Sequence, residues 1–268
     1  MAIARDKFWM FGVRPHQDDV HFSKVHRRSR ITPAEAAFML DVPNMLMINC
    51  QGEPVPFSED AYGYAHSFER MNKVLWAATG SGGFRIGNEE KFICDLANRH
   101  PNIGGAFLDD LNHRFLDDPD SGSKMKDFLH TIRVGLNEAC RPMEIFIVWY
   151  TAEIDNLPVE AVEDVDGITL WTYNCEELPL LEERFAAFRQ KYPDKKIMLG
   201  IYMFDFPSGT ALTDKQMEDQ CEFGLRMLRE GQLDGMIFEA NSVMGLGLPS
   251  EKWLKNWIDK VKYTEIPD

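Results

Sequence analysis

DGMIFEANSVMGLGLPSEKWLKNWIDKVKY, residues 234–263, sets a short apolar run, a glycine-rich turn and an amphipathic stretch in series close to the C-terminal end. The run DGMIFEA (234–240) has the length and composition of a strand buried on both faces. The stretch SEKWLKNWIDKVKY has helical spacing, with Ser250 placed to cap it. Reading outward from this unit, the same strand-then-helix alternation runs back to the N-terminus. The preceding apolar runs are FWMFGV (8–13), MLMIN (45–49), VLWAA (74–78), IGGAFLD (103–109), EIFIVWY (144–150), GITLWTY (167–173) and KIMLGIYMF (196–204). Together with 234–240 they make eight.

Helical patterns lie between the runs. TPAEAAFML carries Thr32 as N-cap, Pro33 at the first helical position and Glu35 three residues after the cap. GNEEKFICDLANRH, SKMKDFLHTIRVGLNEA, CEELPLLEERFAAFRQKY and TDKQMEDQCEFGLRMLREG follow, with Thr213 as a cap and Gly231 as a helix stop. LPVEAVEDV (157–165), after the fifth run, is short and contains proline. Eight strands, each followed by a helix, predict an α/β protein with one (β/α)₈ (TIM) barrel over residues 1–268. An open doubly wound sheet is the alternative. It is disfavoured because no GxGxxG follows the first strand and the alternation continues to an eighth unit.

The composition narrows the function. The chain has 29 basic and 43 acidic residues, a formal charge of −14, which repels nucleic acids and anionic membrane surfaces. Five scattered cysteines form no CxxC pair, which argues against a disulfide framework or structural zinc and for a reducing compartment. The N-terminal apolar run is too short for a secretory signal, and no stretch nears the roughly 20 apolar residues of a membrane span. A cytoplasmic enzyme is therefore expected, or a secreted one if a signal has been removed. Nothing in the sequence fixes the oligomeric state.

In a (β/α)₈ barrel the chemistry sits at the C-terminal ends of the strands. The first strand delivers Arg14, His16, Asp18 and Asp19; the second, Asn49, Gln51 and Glu53; the third, the loop TGSGG (79–83). The fourth delivers Asp109 and Asp110, and the fifth Trp149, Tyr150 and Glu153. The last three bring Trp171, Tyr173 and Asn174, then Tyr202, Asp205 and Phe206, then Glu239, Asn241 and Ser242. Carboxylates thus gather on strands one, four, seven and eight, and rings with polar tips on five, six and seven. Rings stack on sugar CH faces while acids and amides bind hydroxyls, so a small carbohydrate-like ligand is expected.

GAFLDDL, ending the fourth strand, resembles the strand-end Asp-Asp of several barrel glycoside hydrolase and glycoside-hydrolase-like families, and IFEAN at the eighth similarly presents an acid and an amide. The resemblance implies glycoside cleavage, with Asp109 or Asp110 and Glu239 as acid/base or nucleophile. Arg14, His16, Asp18, Tyr150, Tyr173, Asn174, Tyr202, Asp205 and Asn241 would hold hydroxyls, and Trp149 and Trp171 would form stacking walls. Carboxyl groups about 5–5.5 Å apart would imply retention, and about 6.5–9.5 Å inversion. Side-chain alternation predicts that only one of Asp109 and Asp110, preferably Asp109, faces the axis.

Each of these residues also has a purely structural reading. Asp109 or Asp110 could cap a helix or pair with Arg114; Glu239 could pair with Arg14; Asp205 could close a turn before Pro207; Trp149 and Trp171 could be core. Two further functions stay open. One is a non-catalytic carbohydrate-binding barrel. The other is a metal-dependent barrel enzyme on a sugar or phosphosugar. No cofactor is implied for the hydrolase. For the metal enzyme, PHQDD (15–19) resembles the PHPDD signature of a zinc-dependent sugar deacetylase family, with His66 and His113 as further histidines. Val20 and the basic HFSKVHRRSR that follows differ from that pattern, so the barrel version uses His16, Asp18 and Glu239. A phosphate could sit at 79–83, at PSGT (207–210) or at NSVMGLG (241–247).

Overall fold

The computed structural model describes residues 2–17, 27–115 and 120–267. Eight parallel strands close into a barrel: β1 (Phe8–Gly12), β2 (Asn44–Met47), β3 (Lys73–Thr79), β4 (Ile103–Leu108), β5 (Glu144–Tyr150), β6 (Gly167–Trp171), β7 (Lys196–Tyr202) and β8 (Gly235–Glu239). The expected barrel forms, and each strand neighbours its predecessor. The stretch 235–239 closes it, pairing Glu239 with Phe11 on one side and with Tyr202 on the other. Beneath the barrel, Ala2–Ile3 and Glu265–Ile266 form a short antiparallel pair that ties the two ends of the chain together.

Among the described residues, seven α-helices surround the strands: α1 (Pro33–Leu40), α2 (Glu59–Ser67), α3 (Glu89–Arg99), α4 (Ser121–Leu136), α5 (Leu181–Lys191), α6 (Asp214–Arg229) and α7 (Pro249–Val261). The Thr32 and Thr213 hydroxyls cap α1 and α6, and in return each cap residue's N–H donates to the side-chain oxygen of Glu35 or Gln216. Gly231, at φ 66°, follows the end of α6. No helix among the described residues is long and apolar enough to cross a membrane.

Three local expectations need correction. LPVEAVEDV forms only a short 3₁₀ turn, Val159–Val162, because Pro158 and the brevity of the run leave too few donors for an α-helix. CEELPL is likewise 3₁₀ over Cys175–Leu180, and α5 begins only past Pro179. Ser250 does not cap α7: Leu248 occupies that position, Pro249 opens the helix, and the buried Ser250 hydroxyl donates to the Met203 carbonyl at 2.7 Å.

Alternate residues of each strand point to the axis. On β1, β4 and β6 these include Phe11, Phe107 and Trp171, whose rings meet edge to face with centroids 5.6–6.3 Å apart and fill the barrel below its mouth. The Trp171 indole lies flat over Gly200 of β7, where a Cβ would come within 2.0 Å of the ring. Its Nε1 donates to Thr169 Oγ1 at 2.8 Å, so the indole nitrogen is paired inside the core. This aromatic plug is the floor of the site above it.

Candidate active site

A cavity of about 460 Å³ opens at the C-terminal ends of the strands. It is the size of a pocket for a small ligand. Its walls differ by side. From β5, β6 and β7 come Tyr150, Trp171, Tyr173 and Tyr202, with Asn174 and Phe206 from the following loops. Asp109, Asp110 and His113 come from the end of β4, and Glu239 from β8. On the side formed by β1 and β2 the described lining residues are Phe11, Val13, Ile48 and Cys50.

The tyrosines form a continuous wall. Tyr150 and Tyr173 meet edge to face at 6.0 Å, Tyr173 and Tyr202 at 6.3 Å, and Tyr202 packs on Trp171 at 5.2 Å. Burial pushes the Tyr202 hydroxyl well above its ordinary range, and the charges of Glu239, Asp110 and Asp109 push it further. Tyr150 is raised by burial, then by Tyr202, Asp110 and Asp109; Tyr173 by burial, Glu239, Asp110 and Asp205. These phenols therefore stay protonated and can donate. Asp109 and Asp110, from the end of β4, and Glu239, from β8 on the opposite side of the barrel, line the same cavity as these hydroxyls.

Both strand-four aspartates line the cavity. Asp109 continues the inward parity of Phe107 and is 7% exposed. Asp110 lies beyond the strand in a left-handed conformation (φ 45°, ψ 38°), which turns its side chain back over the mouth. There it accepts Tyr150 OH at 2.5 Å and the Gly82 N–H at 2.8 Å, bridging the aromatic wall to the loop after β3. Arg114 serves elsewhere: it donates to the Gly83 carbonyl at 2.8 Å and lies over the Phe128 ring.

Several predicted ligand-binding residues lie outside the lining. Trp149 is on the outward parity of β5, 1% exposed, and its Nε1 donates to the Glu153 carbonyl at 2.7 Å. Asn241 is wholly buried as a staple: its amide accepts Val13 N–H at 2.8 Å and donates to the Val13 and Ile31 carbonyls at 3.0 and 2.7 Å. Asp205 sits behind the wall and closes a turn, accepting Cys175 and Ser208 N–H groups at 3.1 and 2.9 Å. Burial raises its pKa, but those hydrogen bonds outweigh burial and leave it below its ordinary value. Arg14 pairs with Asp60 at 3.0 Å on a half-exposed surface, not with Glu239. His16 is exposed with φ 73°, and Asp18 and Asp19 lie outside the described residues.

The phosphate loops are already occupied by carboxylates. Gly82 N–H serves Asp110, Ser208 N–H serves Asp205, and Gly245 N–H serves Glu251 at 3.1 Å. A bound phosphate would have to displace an anion of the same sign from each. For a metal, the described residues bring together no group of three or more His, Cys, Asp or Glu, and His66 pairs with Glu69 on the surface.

The lining also holds residues that the strand-end reading passed over, among them Phe11, Val13, Ile48, Cys50 and Glu177. Glu177 is ion-paired with Arg184. The apolar four carry no polar signal at all. Their inward parity follows only from register with Glu239, which pairs with Phe11.

No protein-family model and no curated sequence matches the chain. Solved structures match its fold. The chain is similar to a hyperthermophilic chitinase catalytic domain from Pyrococcus furiosus (TM-score 0.58, 12% identity, 98% of each chain). It is also similar to a GH99 endo-alpha-mannosidase from Bacteroides thetaiotaomicron (0.57, 12%, 96% of this chain and 97% of that one). A third is YKL-39, solved in the presence of chitooligosaccharides (0.57, 13%, 94% and 99%). The fold is thus the (β/α)₈ barrel found among glycoside hydrolases, and at these identities the likeness concerns the fold alone.

Proposed function

We propose that this barrel hydrolyses a glycoside, with Asp109 and Glu239 as its carboxylate pair. The observation that carries the reading is the convergence of acids from opposite strands on one cavity walled by protonated tyrosines. One carboxylic acid gives its proton to the glycosidic oxygen as the C–O bond breaks. The other carboxylate either attacks the anomeric carbon or takes a proton from the attacking water. Asp110 accepts Tyr150 OH on one oxygen and the Gly82 N–H on the other. It is read as a positioning residue that holds Tyr150.

Tyr150, Tyr173, Tyr202 and Asn174 would bind hydroxyls, and Trp171 supplies the apolar floor on which a sugar CH face can rest. The structural neighbours include a chitinase and an endo-mannosidase, which agrees with this reading. The test is a panel of aryl glycosides and oligosaccharides on the wild type, Asp109→Asn, Asp110→Asn and Glu239→Gln. Loss of about 10²–10⁴-fold in kcat is expected for Asp109→Asn and Glu239→Gln. A smaller loss is expected for Asp110→Asn. Turnover indifferent to all three substitutions rejects the proposal, and binding without turnover by the wild type assigns a carbohydrate-binding barrel instead.

A further inference from the structure

Tyr202, the last residue of β7, has one polar atom that the protein leaves unused. Its backbone is clamped by the buried Gln220 of α6. Tyr202 N–H donates to Gln220 Oε1 at 3.2 Å, and Gln220 Nε2 donates to the Tyr202 carbonyl at 2.7 Å. Its ring is held by Trp171 at 5.2 Å, Phe206 at 5.9 Å and Tyr173 at 6.3 Å. The residue is 7% exposed and lines the cavity. Among the described residues, however, its hydroxyl has no hydrogen-bond partner.

Two other tyrosine hydroxyls are already engaged. Tyr150 OH donates to Asp110. Tyr192, behind the barrel wall at 2% exposure, donates to the Leu157 carbonyl at 2.6 Å. A buried hydroxyl without a partner costs free energy, and nearly all such groups in folded proteins are paired. A donor fixed through both backbone and ring, and left unpaired at a cavity wall, fits an acceptor brought by a ligand.

Its neighbour defines that acceptor. Glu239 pairs in register with Tyr202, so the two side chains enter the cavity side by side from strands about 4.8 Å apart. Burial and the charges of Glu239, Asp110 and Asp109 keep the phenol protonated, so it serves as a donor. A ligand group lodged there has to accept from Tyr202 and donate to the carboxylate. A hydroxyl does both, whereas an ether oxygen only accepts and an ammonium only donates.

We infer that Tyr202 determines which sugars the site takes: its hydroxyl donates to one ring hydroxyl of the bound sugar, and that hydroxyl donates to Glu239. The inference rests on the glycosidase reading for its ligand, a sugar ring held at the acid pair.

The probes are the 4-nitrophenyl and methyl glycosides of glucose, mannose, galactose and N-acetylglucosamine, with the monodeoxy analogues of any sugar that is turned over or bound. In the wild type, removing one particular hydroxyl is expected to lower kcat/KM, or the affinity for the methyl glycoside by calorimetry, about tenfold or more. In Tyr202→Phe that parent-to-deoxy ratio is expected to fall toward one, while the ratios at the other ring positions stay as in the wild type. Ratios that Tyr202→Phe leaves unchanged at every position overturn the inference while turnover upholds the glycosidase reading. Binding without turnover, with a ratio that depends on Tyr202, removes the glycosidase reading and keeps the inference. A wild type that neither binds nor turns over any of the sugars overturns both. A ligand-free check is denaturant unfolding. Tyr202→Phe is expected to unfold at the same denaturant concentration as the wild type or a higher one, and Tyr192→Phe at a lower one. A midpoint lowered as far in Tyr202→Phe as in Tyr192→Phe would give the hydroxyl a structural partner and overturn the inference.

Discussion

Asp110 and Asn241 show how one residue type at a strand end can serve chemistry or architecture. Asp110 joins two walls of the cavity, whereas Asn241 has every polar atom spent on the backbone of the β1 loop. Asn241→Ala would leave Val13 and Ile31 backbone groups buried without their partner. Each such group costs about 1–3 kcal/mol, so a loss of about 2–4 kcal/mol in unfolding free energy is expected from denaturant titration. A change below about 0.5 kcal/mol would deny the staple. The strand-end rule picked out Asp109, Asp110, Glu239 and the tyrosines, because a polar group ending an apolar run needs a function or a partner. The rule could not separate Trp149 from Tyr150. These neighbours differ only in parity, which is set by register across the barrel and not by either residue's chemistry.

Among the elements, the loop after β3 bears most on the site, since it carries the Asp110 bridge and places Ser81 in the lining. Its anchor is Glu89, 2% exposed at the start of α3, which accepts the N–H groups of Ile86, Gly87 and Asn88 and pairs with Arg85. Burial pushes this carboxyl up, but the hydrogen bonds from Gly87, its own N–H and Ile86, with Arg85 beside it, hold it below 4.5. A lowered folded pKa stabilises the loop above the unfolded value and releases it as pH falls through the folded one. Hydrogen exchange at Ile86–Asn88 should therefore accelerate, relative to the barrel strands, as pH drops below 4.5. In Glu89→Gln it should be fast throughout, with that pH step gone. An acid step retained in the variant would assign it to another group. The sequence pattern found this helix but not its anchoring role: GNEEKF offers two adjacent glutamates, and only packing buries one of them.

For the whole molecule, the count of strand–helix units was legible because every strand is buried on both faces and reads as an apolar run. That Phe11, Val13 and Ile48 line the mouth was not legible, since they look like any core residue of such a run. Closure of β8 on β1 and β7 brings Glu239 level with Phe11 and Tyr202, across the mouth from Asp109. If these two acids work as one catalytic unit, their losses cannot multiply, because removing either disables the same step. The decisive measurement is kcat/KM for the best glycoside on the wild type, Asp109→Asn, Glu239→Gln and the double variant. The double variant is predicted to be about as slow as the slower single variant. Losses that multiply, or single variants as active as the wild type, would contradict a catalytic pair spanning β4 and β8.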